Sequence, residues 1–219
     1  MRTRFLTVLA GGLALVGAVA CGPMTEAPAA GAGAGVGVEA GLPRAEALEQ
    51  LQTLPVGEWA SMSGYSRDRF DHWSSQGDGC DTRDAVLRRD GTAVTVTADC
   101  KIVEGTWFSV YDGETFSDPQ SIDIDHMVPL ANAWRTGASA WSDEQREQFA
   151  NDLDRPQLHA VGRSVNRSKG DQDPSQWRPP RATYWCTYAQ DWVAVKAYWQ
   201  LTVTADEKAA LTEMLETCP

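Results

Sequence analysis

Asp123-Ile-Asp125-His126-Met-Val-Pro129, followed 37 residues later by Asn166-Arg-Ser-Lys169-Gly-Asp171, is the stretch on which the reading of this chain turns. Ser121 to Asp125 alternates β-branched Ile122 and Ile124 with acids, the two-residue period of a strand, and Pro129 breaks the pattern. Asn166 begins a polar, helix-compatible segment that ends before Pro174. A carboxylate beside an imidazole at a strand end, with a second oxygen donor at a helix start, suits a hard divalent ion plus a base. Asp125 and Asn166 offer oxygens, which Mg²⁺ prefers. An unperturbed imidazole such as that of His126 is largely neutral at physiological pH and can take a proton from water. In a regular strand Asp125 and His126 point to opposite faces, so one site uses both only if the strand ends or bends there.

On either side the pattern is mixed, which predicts an α+β domain. Asp81 to Arg89 reads as helix, Thr92 to Ala98 as a strand with Val94 and Val96 in alternation, and Lys101 to Tyr111 as a second strand. Asp112-Gly113 is a two-residue hairpin signal that should return Glu114 to Phe116 alongside. Ser142-Asp-Glu-Gln145 is a capping box opening a helix to about Asp152. Gln157 to Val161 is a short strand candidate and Gly162 to Val165 a turn. Trp185, Tyr188, Trp192, Val195 and Trp199 fall at helical steps, and Thr204-Ala-Asp-Glu207 caps another helix with Leu211, Met214 and Leu215 inside.

Past Cys21 the chain holds Cys80, Cys100, Cys186 and Cys218, which allow three pairings. If the last two helices pack antiparallel about a turn at 200 to 204, Cys186 lies 14 residues before the turn and Cys218 lies 14 after it. They then stand at the same level, which favours Cys186 with Cys218 and leaves Cys80 with Cys100.

The N-terminus carries Arg2 and Arg4, then 16 apolar or small residues from Phe5 to Ala20, then Cys21, the pattern of an export signal over residues 1–20. Ala18-Val-Ala-Cys21 fits a lipobox in which Cys21 is acylated, and also an ordinary signal-peptidase cut. Gly, Ala and Pro fill 14 of the 20 positions from 22 to 41, too little apolar surface to fold, so residues 21–41 read as a flexible linker and 42–219 as the domain. The protein is therefore expected outside the cytoplasm, held to a membrane only through a lipid on Cys21, in an environment where cysteines oxidise.

Composition is that of a globular protein: 219 residues, 42% hydrophobic and 22% charged. With 19 basic and 30 acidic side chains the net charge is −11, and loss of Arg2 and Arg4 with the leader takes it to −13. A polyanion meeting the whole surface would on average be repelled, so simple electrostatic nucleic-acid binding is not the first expectation. Residues 155–181 are the exception, with Arg155, Arg163, Arg167, Lys169, Arg178 and Arg181 against Asp171 and Asp173, a local net of +4 that would draw a phosphate backbone.

The central residues resemble the HNH nuclease motif with its ββα-metal fold. They are closest to the HNH domain at the C-terminus of GmrSD-type restriction endonucleases and to small secreted actinobacterial HNH-family proteins. The resemblance spans most of residues 58–218. It is carried by Gly79-Cys80-Asp-Thr-Arg83, Asp125-His126-Met-Val-Pro129-Leu, Ala133-Trp134, Phe149-Ala-Asn-Asp152, Leu158, Ala160-Val161 and Asn166-Arg-Ser-Lys169-Gly-Asp171. It implies an HNH core with flanking helices and a disulfide-stapled C-terminal helical hairpin. It further implies an endonuclease hydrolysing phosphodiester bonds of DNA first and RNA second, with His126 as general base and one divalent ion, Mg²⁺, on Asp125 and Asn166. Gln157 stands where the family has the asparagine that orients the base, with Asn151 a second candidate. Lys169 is expected either to clamp a phosphate or to cap a helix. Arg163, Arg167 and Arg83 are candidate phosphate contacts, a structural ion pair being the other reading for Arg83. No protein partner is implied.

Two other classes stay open. One is a catalytically silent binding lipoprotein on the same scaffold, suggested by Gln157 and the acidic net charge. The other is a carbohydrate- or wall-binding module using the nine tryptophans, although Trp185, Trp192 and Trp199 share a helix stripe and read as core. His72 reads as a plain polar residue, His159 as a strand residue or a supporting ligand, and Asp171 and Asp173 as solvated turn residues.

Overall fold

The computed structural model describes residues 42–219; the leader, the linker and Cys21 lie outside the described residues. Among the described residues no helix is long and apolar enough to cross a membrane. The architecture is mixed, with seven α-helices and three small antiparallel sheets among these residues.

Helix α1 (Arg44–Thr53) buries Ala47 and Leu51. Strands β1 (Ser75–Gly77) and β2 (Cys80–Asp81) form a two-stranded ribbon. Helix α2 (Thr82–Asp90) follows, opened by a capping box in which Asp81 takes the Asp84 N–H and Asp84 takes the Asp81 N–H. Strands β3 (Gly91–Val96), β4 (Ile102–Phe108) and β5 (Thr115–Phe116) make the second sheet. The return of β5 is where Asp112-Gly113 predicts it, but the turn is longer than two residues. Ser109 N–H bonds to the Glu114 carbonyl at 2.8 Å, so Val110 to Gly113 form a four-residue loop, with Gly113 at φ +81°.

Strand β6 (Ile122–His126) pairs with β7 (Leu158–Gly162), with Asp125 opposite His159. Between them lie α3 (Leu130–Thr136), which the reading above did not foresee, and α4 (Asp143–Ala150), opened by the expected Ser142/Gln145 capping box. Helix α4 stops at Ala150, short of Asp152, and Asn151 is drawn off to accept from Ser74 N–H and the Thr82 hydroxyl. Helix α5 (Arg163–Lys169) begins directly after β7, so residues 163–165 are its first turn and Asn166 sits one turn in. Gly162 makes this tight junction possible, because a Cβ there would lie 2.8 Å from the Phe116 ring. Helices α6 (Trp185–Tyr198) and α7 (Ala205–Leu215) form the C-terminal hairpin.

The β6–β7 sheet divides the interior. Ile122, Ile124, Leu158 and Ala160 join Val86, Leu87 and Trp107 in the smaller apolar cluster. Val161, with Met127 and Val128 just past β6, belongs to the larger one, which gathers α1, α3, α6 and α7 around Tyr188, Trp192 and Leu211. Both disulfides form as the helix geometry indicates, Cys80 to Cys100 and Cys186 to Cys218.

Candidate functional site

Strand β6 ends at His126, and that ending solves the facing problem posed by the sequence. Asp125, His126 and Asn166 line one cavity of about 240 Å³, together with Tyr65, Arg67, Arg167 and Asp171. Strand β7 brings α5 back over the end of β6, so Asn166 reaches the same space from 40 residues downstream.

His126 is 4% exposed, and its Nε2 lies 2.9 Å from the Ala150 carbonyl. A carbonyl only accepts, so Nε2 carries the hydrogen and Nδ1 keeps the lone pair in the neutral ring. Trp73 stacks on the imidazole, with centroids 6.0 Å apart and planes 29° apart. Burial depresses the His126 pKa to about 3, with the Arg67 and Lys169 cations adding to it and the Ala150 bond opposing it. The ring is therefore uncharged across the neutral range.

Asp125 is 5% exposed, and one of its oxygens takes hydrogen bonds from the Tyr111 hydroxyl (2.6 Å) and from the Lys169 ammonium. Its other oxygen, Oδ1, takes none from any described residue. Asn166 donates from Nδ2 to Asp123 at 3.3 Å, which leaves its Oδ1 uncommitted as well. Two uncommitted oxygens on one cavity fit a hard cation of the Mg²⁺ kind, which binds through one or two protein oxygens and keeps several waters. No group of three or more His, Cys, Asp or Glu side chains placed to hold a metal ion occurs among the described residues.

Lys169 differs from a surface phosphate clamp. It is fully buried, and its three N–H bonds go to Asp125, the His126 carbonyl (2.8 Å) and the Met127 carbonyl (3.0 Å). No donor remains for a phosphate. Burial lowers its pKa and Asp125 opposes that shift. Its place is structural, pinning the end of β6 to the end of α5.

Gln157 is fully buried too and makes no bond to the His126 ring. Its Oε1 accepts from Val128 N–H (3.1 Å) and its Nε2 donates to the Val128 carbonyl (3.0 Å), fixing the backbone just after His126. Asn151, the second candidate, is consumed by Ser74, Thr82, Asp71 and Glu147. The group aiming the imidazole is thus a main-chain carbonyl, which no side-chain pattern encodes.

The arginines separate. Arg167 lines the cavity. Arg163 points away from it, paired with Asp123 at 3.5 Å and bonded to the Gln120 carbonyl. Arg83 donates to the carbonyls of Pro119 (3.1 Å) and Ile122 (2.8 Å), a structural tie although not an ion pair. Asp171 is paired with Arg135 at 2.8 Å. Asp173, read above as a solvated turn residue, is buried and accepts from Ser175. His159 faces the Pro156 carbonyl at 3.0 Å, and His72 the Phe70 carbonyl at 2.9 Å. Trp192 is fully buried, with Trp185 and Trp199 packed on the same cluster, so this stripe is core.

Tyr65 and Arg67 on the cavity wall and Trp73 on the imidazole belong to no motif of the sequence. The one local signal was a dense aromatic and basic stretch, Tyr65-Ser-Arg67-Asp-Arg69-Phe70-Asp-His-Trp73, with no periodicity.

Fold and site together define an α+β domain whose polar cavity opens at the end of a two-stranded antiparallel sheet closed by a helix. Comparison narrows the class: the family described as GmrSD restriction endonucleases, C-terminal domain, matches over residues 81–214, and the chain belongs to that family. The family is one of nuclease-like domains. The chain is also similar to a protein of Arthroderma benhamiae described as an uncharacterized secreted protein, 50% identical over 178 residues, 81% of this chain and 87% of the relative. No solved structure matches.

Proposed function

We propose that this protein is an HNH-type endonuclease acting outside the cytoplasm, hydrolysing phosphodiester bonds of DNA first and RNA second, with one divalent ion, Mg²⁺, held by Asp125 and Asn166. The observation that carries the reading is the single cavity onto which open a neutral imidazole locked in one tautomer and two uncommitted oxygen donors. Family membership supports nuclease chemistry. The description of the fungal relative as secreted, with the export signal read over residues 1–20, supports the location. Acylation of Cys21 would tether the protein to a membrane.

In this reading His126 Nδ1 accepts the proton of the attacking water while Nε2 stays bonded to Ala150, so the ring passes through the imidazolium without turning. Burial that keeps the base neutral also makes the imidazolium costly, and an incoming phosphate anion beside it would offset that cost. Gln157 and Lys169 hold residues 126–128 rigid, which keeps Nδ1 aimed. A divalent ion, when bound, supplies polarisation of a phosphoryl oxygen and stabilisation of the leaving oxygen. Recognition through phosphates alone carries no sequence information, so little sequence preference is expected.

The test is degradation of plasmid DNA and of RNA by purified protein with its disulfides intact, with Mg²⁺, with chelator, and as His126→Ala. The expected result is cleavage abolished by chelator and lowered by about 10² to 10⁴ in the variant. Folded, Mg²⁺-supplied protein that cleaves neither polymer, or cleavage indifferent to chelator, overturns the reading.

A further inference from the structure

A phosphodiester seated on this cavity meets Asp125 and Asp171, and the cations nearest those carboxylates are already spent. Lys169 is consumed by Asp125 and two carbonyls, and Arg135 by Asp171. Those pairs cancel. What remains on the wall is Arg67 and Arg167, both exposed, neither guanidinium making a hydrogen bond or ion pair with any described residue. Elsewhere the arginines are mostly committed: Arg69 to Asp143, Arg83 to two carbonyls, Arg155 to Asp152, Arg163 to Asp123, Arg178 to Glu213. Arg44, on α1, is unpaired but lies off this cavity.

The segment carrying Arg67 is anchored while its side chain is free. Tyr65 and Phe70 each pack on Trp134, with centroids 5.8 and 6.4 Å away, and Phe70 is fully buried. Ser66 accepts the Asp68 N–H, and Arg146, itself buried, donates to the Arg69 carbonyl at 3.3 Å. A guanidinium on a fixed backbone, without a carboxylate to surrender, gives an anion site little ordering and no broken ion pair to offset. Its planar fork matches phosphate oxygens two at a time.

We propose that Arg67 and Arg167 form a two-point clamp for the phosphate backbone of a polynucleotide strand. The first arm comes from a segment that precedes the family-matched region 81–214. The clamp deepens the nuclease reading by naming what seats the substrate. It reads backbone and not bases, so it holds any sequence.

The test is the affinity of the intact protein for a short fluorescent single-stranded oligodeoxynucleotide, measured by anisotropy in chelator across a salt series. Arg67→Ala and Arg167→Ala should each weaken binding about tenfold at low salt. Each should also make the slope of log affinity against log salt shallower by about 0.7, the loss of one phosphate contact on a single strand. A merely structural residue would not move that slope. Arg67→Lys should restore the slope while recovering only part of the affinity, and Arg44→Ala should change neither. Overturning results are wild-type protein that does not bind, an Arg67→Ala slope equal to wild type, or an equal change from Arg44→Ala. An Arg67-dependent slope in a protein that cleaves nothing would leave the clamp standing and remove the nuclease reading. Cleavage by protein whose slope ignores Arg67 would do the reverse.

Discussion

The imidazole of His126 is kept neutral by burial and aimed by the Ala150 carbonyl, and neither influence comes from residues beside it in the chain. Gln157 is the residue that makes this arrangement rigid, because it satisfies both main-chain groups of Val128. Gln157→Met keeps the volume but leaves a buried N–H and C=O unpaired. It should cost about 2 to 4 kcal/mol, a fall of roughly 5 to 15 °C in the thermal midpoint followed by circular dichroism. A midpoint equal to wild type would mean that Val128 finds other partners. Lys169→Met should be at least as damaging, about 3 to 5 kcal/mol in denaturant unfolding, since it strands the Asp125 carboxylate in a buried place.

Among the elements, the α6–α7 hairpin is the one whose construction follows most directly from spacing. Thr204 accepts the Glu207 N–H and Glu207 reaches back to the Thr204 N–H, while the Cys186–Cys218 bond closes a separation of 32 residues. Replacing both cysteines with alanine should lower unfolding free energy by about 3 to 4 kcal/mol on the chain-entropy account, read from urea melts of oxidised wild type and variant. No difference would mean that the unfolded chain already keeps these helices together. Helix α5 teaches the opposite lesson. Gly162 to Val165 carries turn-like signals and Asn166 opens the polar run, yet the helix starts at Arg163, because docking on β6 and β7 rewards a turn that local propensity leaves undecided.

At the scale of the whole domain, buried titratable groups give stability a pH dependence. Burial raises the Asp191 pKa from 3.8 to about 8, opposed by its bond from Tyr184. His159 Nε2 lies 3.8 Å from the Asp191 carboxyl and 3.0 Å from the Pro156 carbonyl, and burial lowers the pKa of its ring. A carboxyl that stays protonated in the fold contributes fully below pH 4. That contribution is lost as pH rises to about 8, at about 1.4 kcal/mol per unit, because the unfolded chain ionises first. Asp191→Asn should therefore match wild type near pH 4 and exceed it by several kcal/mol near pH 8, in urea melts run across that range. Equal stability at both ends would show Asp191 to be ionised in the fold.

The strand ending at His126, the Ser142 and Thr204 capping boxes and both disulfides were legible in the sequence, because each rests on short-range periodicity, local hydrogen bonding or a simple spacing; the box at Asp81 closes on a second aspartate and was legible only as the start of a helix. That Asp125, His126 and Asn166 meet at one cavity was anticipated from their chemistry and from the resemblance to a family. Which atoms aim the His126 imidazole, which cations are already spent and which are free were decided by tertiary structure alone. A lysine beside a site is a clamp or a strut according to whether carbonyls surround it, as at Lys169. An arginine is free or committed according to which carboxylate the fold brings near, as Arg67 and Arg163 show. Those are contacts between segments far apart in the chain, and no local pattern of residue types records them.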